Sequence, residues 1–268
     1  MFSKRLIEPE LLDHLPPDEA RPNLADLVRI NAKFGGHSVL RRAVLQATKG
    51  DSGGTFLDVG AASGDSARQI QQCCPGATIT CIDYNATNFE NAPPPKALAN
   101  VFDLPFKPAS FDYVFCSLFL HHFSDGAVKD ILRNLYGVAR KAIIICDLER
   151  HPLPYIFLPL TRPFFKWNRI TVHDGIRSVR AAFRAGELEQ LAKGAGITNV
   201  EIRRYRPAFR ITLVGRKEEP VGTRRKYPPG ACSPKTDACL GDKLIIGKNL
   251  NERCLQETAL VLGDACTY

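Results

Sequence analysis

The chain is 268 residues long, 44% apolar and 24% charged, with a formal charge of +8; these values belong to an ordinary folded protein and argue against a disordered or fibrous one. The first turns of sequence mix acids and prolines with leucines and lack the apolar stretch of a secretory leader. No run reaches the roughly 18 apolar residues of a membrane-spanning helix, so the expectation is a cytoplasmic protein that does not cross a bilayer.

In chain order, Asn23 to Gln46 reads as one or two helices broken near Gly35 and Gly36, with Leu24, Leu27, Val28 and Phe34 on an apolar side. Residues 1–50 are therefore expected to form a helical cap. From 51 to 217, short β-branched runs alternate with helical patterns, which is the signature of βαβ units around a parallel sheet. Strands are expected at Thr55–Val59, Thr78–Asp83, Ala97–Phe102, Tyr113–Cys116, Ala142–Cys146, Asn199–Arg204 and Arg210–Gly215, and helices at Ser63–Cys73, Ala127–Val138 and Gly186–Ala195. Seven strands fit one open α/β sheet.

The connection Leu148 to Arg184 is unusually long and rich in proline and aromatics (Tyr155, Phe157, Phe164, Phe165, Trp167); residues 148–184 are expected to form a lid or acceptor-binding insertion. Between Glu149 and Lys217, fourteen Lys and Arg stand against five Asp and Glu. Such an excess suits a solvated face, an anionic ligand or a membrane surface. Residues 218–268 read as a tail without sustained periodicity, with Leu244–Ile246 and Leu255–Leu262 as its candidate strand and helix. Cys73, Cys74, Cys81, Cys116 and Cys146 lie in apolar patterns where thiols act as small hydrophobes. Cys232, Cys239, Cys254 and Cys266 have no CxxC spacing, so no metal is expected.

The chemistry gathers at strand ends. Thr55 to Asp65 is a strand followed at once by a small-residue loop and a helix; Gly60 and Gly64 let the backbone turn tightly and approach a ligand, and helix amides face its negative end. Asp83 closes the next strand, where an acid can accept both ribose hydroxyls of an adenosine. Asp103, in AsnValPheAspLeuProPhe, is expected at the end of the third strand, beside an adenine edge.

LeuAspValGlyAlaAlaSerGly, CysIleAspTyr, PheAspLeuProPhe and PheAspTyrValPheCysSerLeuPheLeuHisHisPhe resemble, in order and spacing, the successive motifs of the Rossmann-like class I S-adenosylmethionine-dependent methyltransferases. The nearest likeness is to the small-molecule group that includes ubiquinone and menaquinone biosynthesis enzymes, and it spans roughly Thr55 to Lys217. It implies a doubly wound, seven-stranded, mostly parallel sheet with the last strand antiparallel and helices on both faces, with S-adenosylmethionine as cofactor. It also implies that Asp58 and Gly60 lie by the methionine portion, that Asp83 binds ribose, that Asp103 binds the adenine amine, and that Ser117 and Leu118 flank the cofactor. Ala62, Ser63, Gly64, Tyr84 and Phe102 complete the implied cofactor contacts. Ala62 departs from the commoner GxGxG loop, where the central position is glycine.

Because the sulfonium donor is already activated, the protein's main task is to hold a nucleophile in line about 3 to 3.5 Å from the methyl carbon. A phenol or enol acceptor gains about 100-fold to 10,000-fold more from a base. His121, His122 and His173 are the candidates; a structural HisHis corner is the other reading of the first two. Asp147 and Arg150 line the same edge, as an ion pair or as pocket residues. The expected reaction is methyl transfer to O or C of a small hydrophobic acceptor such as a polyketide, phenol or quinone precursor. Its rivals are a lipid acceptor at a membrane surface and a non-catalytic cofactor-binding regulatory protein. A nicotinamide dehydrogenase would need the GxGxxG that is missing, and a nucleic-acid methylase its own motif where SerLeuPheLeu stands.

Overall fold

The computed structural model describes residues 2–86 and 89–218; the expected tail elements at Leu244–Ile246 and Leu255–Leu262 lie outside the described residues. A single 3-10 turn (Leu11–His14) leads into α1 (Pro17–Lys33) and α2 (Gly36–Thr48), then β1 (Gly53–Val59), α3 (Asp65–Cys73), β2 (Gly76–Asp83), β3 (Lys96–Leu98) and β4 (Phe111–Ser117). A second 3-10 turn (Leu120–His122) precedes α4 (Asp125–Val138), β5 (Ala139–Leu148), α5 (Pro152–Phe165), α6 (Arg169–Ala181), α7 (Ala185–Gly194), β6 (Val200–Tyr205) and β7 (Arg210–Arg216).

The strands form one seven-stranded sheet in the order β3-β2-β1-β4-β5-β7-β6. Every pairing is parallel except those of β7, which runs antiparallel to both β5 and β6. The strand order reverses between β1 and β4, and in such sheets ligands bind outside the carboxyl ends of the strands at that switch point.

Alternation along the strands divides the core into two layers. Leu57, Val59, Val114, Cys116, Ile143 and Ile145 face α4 and α7, where Val128, Ile131, Leu132, Leu135 and Leu188 are buried. Phe56, Tyr113, Phe115, Ile144 and Cys146 face α2 and α3, where Val39, Leu40, Val44, Ala67 and Ile70 are buried. The helix expected in the N-terminal cap thus splits at Gly35, which adopts φ +87°, and its second half lies on the sheet and shares the core with α3. The thiols of Cys74, Cys81, Cys116 and Cys146 are buried and that of Cys73 half-buried, all unbridged.

The long connection is built of helices. Pro152 and Pro154 sit in the first turn of α5, where a missing N–H costs nothing, and Pro159 and Pro163 fall on its exposed side. Among the described residues no helix is long and apolar enough to cross a membrane.

Candidate functional site

Directly after β1 the backbone enters the left-handed region at alternate residues: Gly60 at φ +69°, Ala62 at +44° and Gly64 at +74°. Ala62 holds a conformation costing an L residue about 1 to 2 kcal/mol. Hydrogen bonds fix the turn. The amides of Gly60 and Ala61 donate to the Ile82 carbonyl at 3.0 and 3.1 Å, and the Ala62 amide donates to Asp83 Oδ2 at 2.8 Å. Asp83 Oδ1 accepts from the Asn85 amide at 2.8 Å, so this carboxylate ties the loop to the end of β2. Burial raises its pKa, against the pull of these amides.

Besides the turn they allow, the two glycines make room for neighbouring side chains. A Cβ on Gly60 would lie 2.3 Å from the Phe119 ring, and one on Gly64 would lie 2.3 Å from Pro93. Their missing side chains therefore admit protein groups against the loop. From Phe119 an aromatic chain continues through Phe123 at 5.0 Å to Phe102 at 5.8 Å, each pair edge-on. Phe102 and Tyr84 keep 45% and 52% of their surface exposed, which leaves rings available at the carboxyl edge of the sheet.

Asp58 is 1% exposed near the end of β1. Its Oδ2 finds no hydrogen-bond partner among the described residues. Burial first, then the nearby negative charge of Asp83, pushes its pKa well up. Asp65, at the start of α3, adds to the same field and is held by His37 Nε2 at 2.6 Å. An acidic cluster with one unsatisfied buried oxygen suits the positive end of a ligand. Ser63 offers its carbonyl to Arg68 at 2.9 Å, and Arg68 also reaches the Asn91 carbonyl at 2.6 Å, so this guanidinium ties the loop down.

Asp103 lies past the strand end at which its pattern places it. The third strand stops at Leu98, because Asn100 begins a turn in which its side chain accepts from the Phe102 amide at 3.0 Å and its carbonyl accepts from the Asp103 amide at 3.1 Å. Asp103 is exposed in that turn, past the strand end, and no hydrogen bond among the described residues joins it to Asp83 or the loop. Ser117 ends β4, and Leu118, at φ +54°, donates its amide to the Cys146 carbonyl at 2.9 Å. This bends the chain toward the histidines.

His121 is 3% exposed. Its Nδ1 lies 2.6 Å from Asp147 Oδ1, its backbone amide donates to Asp147 Oδ2 at 3.3 Å, and its Nε2 faces Glu10 Oε1 at 3.8 Å. Burial resists protonation, but Asp147 and Glu10 overcome it and lift the imidazole to about 10. For Glu10 burial is outweighed in turn by His121 and His122, and its pKa falls to about 2. Both ring nitrogens of His121 are thus turned to carboxylates. His122 stacks at 4.3 Å on His121, with Nδ1 4.0 Å from Glu10 Oε1. His173 Nδ1 lies 2.9 Å from Asp174 Oδ1, and Asp174 accepts the amides of Leu11 and Leu12 at 3.0 Å each. Glu10 was invisible to the sequence reading because its partners lie far along the chain.

Arg150 is a clamp. It is buried, donates to the carbonyls of Phe2, Ser3 and Ala182, and pairs with Glu187. The aromatic stretch is also rearranged relative to expectation: Phe157 and Phe165 pack edge-on to Phe34 at 4.7 and 5.6 Å, and Trp167, 2% exposed, stacks on Phe165 at 5.0 Å. These rings form a core between α1 and α5. Phe164 alone points outward, 83% exposed.

Residues 57–146 match the family model described as a methyltransferase domain. No curated protein matches the sequence. Among solved structures the chain is similar to an O-methyltransferase family protein from Burkholderia thailandensis, with 16% identity, TM-score 0.53, and 74% of this chain and 59% of that chain covered. It is also similar to human N-acetylserotonin methyltransferase in complex with SAM, with 20% identity, TM-score 0.51, and 71% and 55% covered. The chain thus spans little more than half the length of either protein, and the likeness is one of fold.

Proposed function

Since the chain carries a methyltransferase domain on the class I fold, we propose that it is a cytoplasmic enzyme that binds S-adenosylmethionine at the Gly60–Gly64 turn. It transfers the methyl group to oxygen or carbon of a small hydrophobic acceptor such as a phenol, polyketide or quinone precursor. One observation carries the cofactor assignment: the buried Asp58 with its unpartnered oxygen, beside an Asp83 already engaged with the loop. These acids would face the cationic portion of the donor and its ribose, with Tyr84 and Phe102 on the adenine side.

The donor supplies an activated methyl group, and the chain's own residues orient it and keep water out. Ser117 and Leu118 would flank it, and the Phe119–Phe123–Phe102 rings supply apolar wall for a flat acceptor. All three histidines, His121, His122 and His173, lie within 4.0 Å of a carboxylate, so this reading assigns no single one of them as the acceptor's base. Calorimetric titration with S-adenosylmethionine tests the assignment. One site is expected, weakened at least tenfold in Asp83→Ala, and unchanged affinity in that variant would sink it. Incubation with labelled donor and candidate extracts, followed by mass identification of the product, tests the acceptor.

A lipid acceptor at a membrane surface is the second reading, and α5 favours it. Leu153, Ile156, Leu160 and Phe164 are all exposed at helical spacing, forming one apolar stripe beside Lys166 and Arg169. Salt-sensitive co-sedimentation with anionic liposomes, lost in Leu160→Ser/Phe164→Ser, distinguishes the two.

A further inference from the structure

We propose that Glu10, His121 and His122 form a binding site for one first-row divalent cation of the zinc type, with Asp147 as the group that orients His121. Each of the three residues offers one donor atom, and these atoms all lie within 4.8 Å of one another. Glu10 Oε1 is 3.8 Å from His121 Nε2 and 4.0 Å from His122 Nδ1. In a tetrahedral shell with bonds of about 2.0 to 2.2 Å, neighbouring donors stand roughly 3.4 Å apart. The two glutamate contacts need to close by about half an ångström, and the two imidazole nitrogens, within 4.8 Å of each other, by up to about 1.4 Å.

The surroundings are those of a built site. The Asp147 carboxylate at 2.6 Å from Nδ1 of His121 fixes the ring so that Nε2 is the atom turned to Glu10. A carboxylate behind a ligating imidazole is the usual device for setting tautomer and orientation. Glu10 is held from its own side: Ser178 donates its hydroxyl to Oε1, the following two amides are captured by Asp174, and Arg177 takes the Pro9 carbonyl. Two carboxylates, two neutral imidazoles and one divalent ion sum to no net charge, which is what a buried cluster requires. The cysteine spacing of the sequence misses such a site, since its ligands are a nearby HisHis pair and a glutamate from the N-terminal segment.

Two imidazoles and one carboxylate select borderline divalent ions and leave a coordination position open. His121 follows by two residues Phe119, whose ring covers Gly60, so the open position belongs to the carboxyl edge of the sheet. Its use rests on the methyl-transfer reading. The acceptor's phenolic or enolic oxygen binds the ion, its proton leaves to solvent, and the methyl group passes from sulfonium sulfur to the acceptor's oxygen or carbon.

The test uses the full chain, stripped with chelator, dialysed, and titrated with Zn²⁺ and separately with Co²⁺, following heat and the visible absorption of cobalt. We expect one equivalent bound, with affinity lowered at least tenfold in both Glu10→Gln and His122→Ala, and tenfold to a hundredfold in Asp147→Asn. Urea unfolding and S-adenosylmethionine titration on the same samples show that each variant is folded. No saturable binding to the wild-type chain, or undiminished binding in Glu10→Gln and His122→Ala, overturns the site and leaves an ion network that fastens the N-terminal segment. Stoichiometric zinc without any methyl transfer upholds the site and removes only its use.

Discussion

Replacing Gly60 by alanine probes the loop where backbone and packing demands coincide. At φ +69° an L residue meets the left-handed penalty of about 1 to 2 kcal/mol. The new Cβ would also stand 2.3 Å from Cδ2 of Phe119 and 2.8 Å from two further ring atoms, an overpacking of the kind that costs about 1 to 3 kcal/mol. The ring cannot swing away freely, because Phe123 packs against it at 5.0 Å. Together these give a loss of about 2 to 5 kcal/mol, or roughly 4 to 20 °C in melting temperature for a domain of this size. Urea unfolding measures it, and a cycle with Phe119→Ala separates the two parts. The double variant should recover the packing part and keep the backbone part, so a coupling energy near zero would refute the contact. A loss under about 0.5 kcal/mol in the single variant would refute both parts.

Asp58→Asn should stabilise the chain at pH 7, since burial disfavours the ionised carboxylate and the amide carries no charge. The sign follows from a folded-state pKa raised above the unfolded value: folding is favoured by protonation, and the wild-type chain loses stability as pH climbs above about 4, the unfolded aspartate value, while the variant lacks that slope. The same change should weaken S-adenosylmethionine at least tenfold by calorimetry. Ala62→Gly should be neutral or stabilising by up to about 1 kcal/mol, because it releases left-handed strain and keeps the amide that donates to Asp83. Trp167→Ala should cost about 3 to 5 kcal/mol in urea, whereas Phe164→Ser should stay within about 0.5 kcal/mol. Equal effects would contradict the opposite burial of these two side chains.

What could be read ahead of the structure was what the chain encodes locally. The β1–loop–α3 unit and the position of Asp83 follow from residues close in sequence, through β-branched runs, small turn residues and a strand-end acid. The third strand is shorter than its pattern suggests because Asn100 closes a turn on Phe102 and Asp103 and ends β3 at Leu98, and turn chemistry of this kind competes with an apolar strand pattern. The helix α5 was hidden by proline, although proline breaks a helix only where an amide is needed and two of the four in α5 lie in its first turn. The role of Phe119 against Gly60, and that of Glu10 against the HisHis pair, depend on contacts made across the fold and leave no periodic trace.

The two halves of the carboxyl edge therefore differ in how they are made. The glycine turn is assembled from consecutive elements and is braced by Asp83 and Arg68 close at hand. The histidine side needs the N-terminal segment, which is bound by cations and acids from elsewhere in the chain. Arg5 donates to the carbonyls of Phe123, His121 and Ala181, Arg150 takes those of Phe2 and Ser3, and Asp174 holds the amides of Leu11 and Leu12. Most of these bonds end on backbone atoms, so the segment's path depends weakly on its own side chains, Arg5 and Glu10 excepted. Glu10 is the one acid that this path delivers to both histidines. A fold that fixes its glycine turn locally can thus vary the histidine side by changing a short leading segment, without disturbing the sheet beneath it.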